Sequence, residues 1–98
     1  MMSSKRSSNR PILHLNLYRE FFAKIAGGRK IERRDTTPHW KSRLEGRSYD
    51  AIQFRNGYSA NAPEMLVEFR GIRKYGTGRS GHYTIRLGRI LRIKRWRG

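Results

Sequence analysis

The chain has no cysteine. Disulfides, cysteine-based zinc sites and a cysteine nucleophile are therefore excluded. It is also short of acid: 7 Asp and Glu residues stand against 23 Lys and Arg, a formal net charge of +16. No apolar run approaches the roughly 20 residues that a membrane-spanning helix needs. The first apolar segment alternates Leu13, Leu15 and Leu17 with polar residues instead of forming the continuous core of a signal peptide. A soluble, intracellular and cytoplasmic protein is the expectation. The three histidines, His14, His39 and His82, lie far apart with no zinc-ligand spacing, and no nucleophile-elbow string is present. Neither a metal nor a cofactor is expected.

What is present is positive charge and ordered apolar alternation. A chain of 98 residues, 36% hydrophobic, is one small domain. The charge creates a field that draws in polyanions. The candidates are RNA, DNA and an anionic membrane surface. Arg is much commoner than Lys. Arg forks onto phosphate and stacks on bases, whereas Lys acts as a point charge, so the composition favours nucleic acid.

Met1 to Arg10 is rich in Ser, Lys and Arg and reads as a disordered basic tail, with residues 11–98 forming the domain. Ile12 to Tyr18 alternates as a strand. Arg19 to Ala26 reads as a short helix with Phe22, Ile25 and Ala26 on one stripe, ended by Gly27-Gly28. Lys30 to Arg34 is a short strand. Thr37-Pro38 starts a second helix, with a capping hydroxyl and proline at the first helical position. Trp40 and Leu44 face inward on it, and Gly46 closes it. Tyr49 to Arg55 is a strand and Asn56-Gly57 a turn. Met65, Val67 and Phe69 alternate through another strand that continues past a bulge at Gly71 to Tyr75. Tyr83, Ile85 and Leu87 mark a strand that Gly88 breaks, and Ile90 to Trp96 is the last. The expected fold is α+β: a small curved sheet or barrel of about five to six strands with two short helices.

Gly76 to Gly81 spells Gly-x-Gly-x-x-Gly. The dinucleotide-binding version needs a helix after it. A strand pattern follows here, so the string is a loop, with Arg79 at its tip placed to touch phosphate. The densest chemistry lies in Gly28 to Asp35. In extended backbone Lys30, Glu32 and Arg34 share a face. Glu accepts from a base's amino group while Lys and Arg hold phosphate. The same residues serve acid–base chemistry if burial shifts Lys30 or Glu32, or form a solvated edge strand. At the end of the chain, Arg92 and Lys94 interleave with Leu91 and Ile93. They form a charged edge strand, a ribbon for a phosphate backbone, or both.

A short helix before Gly28-x-Lys30, then Glu32-x-Arg34, Thr37-Pro38-His39-Trp40, Arg43 to Arg47, Tyr49-Asp50, Phe54 to Tyr58 and His82 to Gly88 resembles the ASCH domain of the PUA-like superfamily. The resemblance spans about Pro11 to Lys94, in the form of a free-standing ASCH protein. It implies a PUA-like β-barrel with flanking helices and a cleft lined by Lys30, Glu32 and Arg34. It also implies RNA binding, and in some members hydrolysis of RNA or modified nucleosides. This chain departs from the family in placing one residue fewer between the lysine and the glutamate. It also carries Glu32 where small amidohydrolases of the family use threonine. Both departures favour binding over catalysis.

The combined expectation is a nucleic-acid-binding module, RNA more than DNA, with no membrane partner. Trp40, Tyr58 or Tyr83 would stack on a base. Arg29, Arg33, Arg79, Arg92 and Lys94 would contact the backbone. The alternative is a hydrolase, a ribonuclease or nucleoside amidohydrolase, with Lys30 and Glu32 catalytic. A third possibility is a structural ribonucleoprotein partner that uses only its basic surface.

Overall fold

Alternation of apolar and polar residues builds the sheet. The structure, a computed structural model, describes residues 11–97, so the tail expected over the first ten residues lies outside the described residues. Five strands and two helices follow one another: β1 (Ile12–Asn16), α1 (Arg19–Ala26), β2 (Ile31–Asp35), α2 (Pro38–Leu44), β3 (Ala51–Arg55), β4 (Glu64–Tyr75) and β5 (His82–Lys94). The strands form one sheet in the order β1-β3-β4-β5-β2, parallel only between β1 and β3. The sheet curls into a half-barrel, and the fold class is α+β.

Register explains the core. Leu13 lies opposite Ile52, which lies opposite Val67, and Leu15 follows the same path through Phe54 to Met65. These side chains fill one face, joined by Tyr83, Ile85 and Leu87 from β5. Phe22 and Ile25 of α1 and Leu44 of α2 close over the same cluster. Each fully buried side chain of this size contributes about 1.5–3 kcal/mol, so both helices are held by packing more than by their own short length.

Several boundaries differ from expectation: β1 stops at Asn16 and not Tyr18, β2 runs from Ile31 to Asp35, and β3 starts at Ala51 and not Tyr49. β5 does not break at Gly88: it runs from His82 to Lys94 as one partner of the equally long β4. Gly88 is a point of close approach: a Cβ there would meet the Glu68 carboxylate and sit 2.9 Å from Glu68 Cβ, so any other residue forces the Glu68 and Arg70 side chains to shift. The ladder shifts register near Val67 and Phe69 and at Gly71, whose φ of 122° fits the expected bulge. Trp96 leaves the sheet after Arg95 (φ 57°) and packs on Phe22, ring centroids 4.9 Å apart. At α2, Pro38 takes the first turn as expected. The Thr37 hydroxyl makes no cap, however, and donates to Asp35 Oδ1 at 3.1 Å. The Gly78–Ser80 segment is a single 3₁₀ turn leading into β5, so no helix follows the Gly-x-Gly-x-x-Gly string. No helix among the described residues is long and apolar enough to cross a membrane.

Two of the scarce carboxylates, Glu45 and Glu68, anchor the β4–β5 ribbon. Tyr83 Oη donates to Glu45 Oε2 at 3.0 Å, and Lys74 Nζ lies 3.4 Å from the same oxygen. The tyrosine hydroxyl first, and Lys74 after it, hold Glu45 below the usual carboxylate range. The Arg89 backbone N–H first, then Arg70, do the same for Glu68. A carboxyl whose folded pKa lies below its unfolded one stabilises the fold above the unfolded value, about 4.3. That contribution is lost as pH falls through the folded value. Thermal melts are expected to drop steadily below about pH 5. The paired variant Glu45→Gln/Glu68→Gln should flatten that drop; a profile as steep as that of the parent chain would remove these two groups from its cause.

Candidate nucleic-acid cleft

The site begins at β2. Glu32 lies opposite Ile85 and Arg34 opposite Tyr83, so both point to the inner face of the half-barrel, where β2 forms its edge. That position buries Glu32 to 6% exposure. A buried carboxylate needs a partner, and Arg34 supplies it: its Nη1 donates to Glu32 Oε2 and also to the Arg33 carbonyl. The guanidinium lies over the Trp40 ring, 5.0 Å from its centroid. Arg43 lies 5.3 Å from the same ring and donates to the His14 carbonyl at 3.0 Å, which ties α2 to β1. Arg34 is thus fixed by a carboxylate, a carbonyl and an indole face.

Glu32 and Arg34 open onto a cleft of about 730 Å³, within the usual range for small-ligand sites. Its other lining residues are Asn16, Leu17, Tyr18 and Phe21 from the β1–α1 junction, Arg29 just before β2, Arg33 within it, Trp40, and Tyr58. Tyr18 and Tyr58 are 78% and 88% exposed. A reciprocal bond sets them both at the cleft. The Asn16 side-chain amide donates to the Gly57 carbonyl at 2.8 Å and accepts from the Gly57 N–H at 3.1 Å. Asn56 Nδ2 donates to the Leu17 carbonyl at 2.9 Å. The β3–β4 loop carrying Tyr58 is in this way pinned to the chain carrying Tyr18.

Of the residues singled out in the sequence, Arg29, Glu32, Arg33, Arg34, Trp40 and Tyr58 meet at this cleft. Lys30 does not line it: its ammonium donates to the Gly88 carbonyl at 3.0 Å, just before β2 begins. Tyr83 is in the core, 1% exposed, with its hydroxyl on Glu45, and offers no open face to a base. Arg79 lines a separate depression of about 400 Å³ with Asp35, Thr36, Thr37 and Gly81. Arg92 and Lys94 lie on the far half of β5, opposite Leu66 and Glu64 of β4.

The sequence pattern does not single out Asn16, Leu17, Tyr18 or Phe21. One mark was available for Tyr18. It occupies the N-cap of α1 with no side-chain cap bond, a position where Ser, Thr, Asp or Asn is usual. Comparison with protein-family models, curated proteins and solved structures finds no match to the chain.

Proposed function

We propose that the chain is a binding module for single-stranded RNA, of ASCH and PUA-like type and cytoplasmic, whose cleft takes one unstacked base. The observation that carries this reading is the composition of the cleft. A buried carboxylate ion-paired to a fixed Arg forms the floor, and two exposed tyrosines stand at the opening. Single strands are recognised by splaying a base onto an aromatic face and reading its edge with polar groups. Arg29 and Arg33, lining the same cleft, have no acidic partner among the described contacts and are free for phosphate. The helical mode of reading duplex DNA is not supported by the described helices. α1 and α2 are eight and seven residues long, and their apolar sides are spent on the core, so neither is a recognition helix for a major groove.

The hydrolase alternative has less behind it. Lys30, its activating group, is held on Gly88 outside the cleft lining. The cleft therefore contains Glu32 without the lysine meant to act beside it.

The test compares single substitutions by fluorescence anisotropy with a labelled single strand. Tyr58→Ala is expected to weaken binding roughly tenfold, the loss of one stacked base. Lys30→Ala should weaken it no more than Arg92→Ala, which removes one remote charge. Equal effects from all three would leave only a basic surface and would sink the cleft as the binding site.

A further inference from the structure

Resting on that reading, we infer that the cleft selects guanine. The cleft floor sets an acceptor beside a donor. Glu32 is an acceptor-only group with two oxygens, and Arg34 beside it is a donor-only group. Their order along the inner face is fixed by β2 and by the bond between them. Arg34 has five N–H donors, and its described hydrogen bonds, to Glu32 Oε2 and the Arg33 carbonyl, both come from Nη1. No described hydrogen bond engages the remaining donors, and Arg34 lines the cleft.

The four bases differ in how they meet such a pair. On its pairing edge guanine presents N1–H and N2–H side by side, with the O6 acceptor next to them. A carboxylate takes both hydrogens at once, and an adjacent guanidinium takes O6. Uracil offers one N–H between two carbonyls, so the carboxylate meets an acceptor on either side. Cytosine and adenine place a ring nitrogen lone pair next to the amino group, where it faces the second carboxylate oxygen. Only guanine satisfies both carboxylate oxygens. Burial gives this match its force, because a buried polar group left unpaired by the wrong ligand carries a desolvation cost. Glu32 is 6% exposed, and Tyr18 and Tyr58 supply stacking that is indifferent to base identity. Affinity and selectivity therefore fall on different residues.

The experiment uses uridine strands of about nine nucleotides, a length within single-strand site sizes, carrying guanosine, inosine, adenosine, cytidine or uridine at the centre. Binding is read by anisotropy at one salt concentration. The guanosine strand is expected to bind about tenfold tighter than the uridine strand. Inosine, which lacks only the 2-amino group, should lose most of that advantage. Glu32→Gln, checked for folding by its thermal melt, should bind guanosine and uridine strands alike. Equal affinity of the parent chain for all five strands would overturn guanine selection while leaving single-strand binding intact. No binding to any strand would overturn both. A guanosine preference that survives Glu32→Gln, or one that inosine shares in full, would show that Glu32 is not the reader. The inosine comparison needs no variant, so the inference remains testable if Glu32→Gln fails to fold.

Discussion

Raising the salt from about 50 to about 200 mM is expected to weaken binding of a short single-stranded RNA by about 100-fold. Neutralising ~5 phosphates of a single strand gives a log–log slope of roughly −3.5, and a fourfold rise in salt then costs about two decades. The few carboxylates decide which cations are left for such contacts. Glu64 gathers Arg55, Lys94 and Arg95; Glu68 holds Arg70 and Arg89; Glu45 holds Lys74; and Glu32 holds Arg34. Most of these pairs are on the β4–β5 ribbon and partly neutralise it. Arg29 and Arg33 at the cleft have no ionic partner among the described contacts. The excess of cations, 23 against 7 acids, is thus unevenly available. A strand threading the cleft meets the unpaired ones first. Titration of a labelled strand across potassium chloride gives the slope directly. The double variant Arg29→Gln/Arg33→Gln should reduce its magnitude by about 1.4, two phosphates' worth. A slope near zero in the parent chain, with tight binding throughout, would contradict the electrostatic part of the proposal.

The residues legible in the sequence are those whose role follows from local period. α1 runs over the expected Arg19–Ala26 because its apolar stripe and the Gly27-Gly28 stop are both local. Glu32 and Arg34 share a face because side chains alternate along any strand. Tyr83 shows the same rule working against its choice as a stacking residue. It alternates with Ile85 and Leu87, and that period alone sends it to the core. Features made by distant chain are not legible in this way. Lys30 is drawn off by a carbonyl 58 residues further on. Gly88 looks like a strand breaker until Glu68 and Arg70 are found filling the space beside it. Trp96 reads as part of a basic strand, yet the turn at Arg95 takes it to α1, where Arg19 also covers its ring at 4.7 Å. The cleft itself depends on Asn16 clasping Gly57, 41 residues away. Sequence period says nothing about such a pairing.

Arg34→Ala is expected to destabilise the fold by about 3 kcal/mol, well beyond Glu32→Gln at about 1 kcal/mol. The asymmetry comes from which group is left behind. Glu32 sits on the inner face with 8% of its side chain exposed, against 16% for Arg34. Removing the guanidinium leaves a buried carboxylate without its described partner, the costly half of a broken buried pair. Neutralising the carboxylate leaves Arg34 with the Arg33 carbonyl and the Trp40 face. For a domain of this size, a loss of about 3 kcal/mol lowers the melting temperature by roughly 12–24 °C. The double variant Glu32→Gln/Arg34→Ala removes the stranded charge and should recover most of the loss, giving a strong favourable coupling in a double-mutant cycle. Additive, small effects of the two single variants would mean that water in the cleft already solvates Glu32. A surface-like pair of that kind is worth little and would have little power to discriminate between bases. The melts therefore measure, without any nucleic acid present, whether the cleft floor is desolvated enough for its hydrogen-bonding pattern to matter.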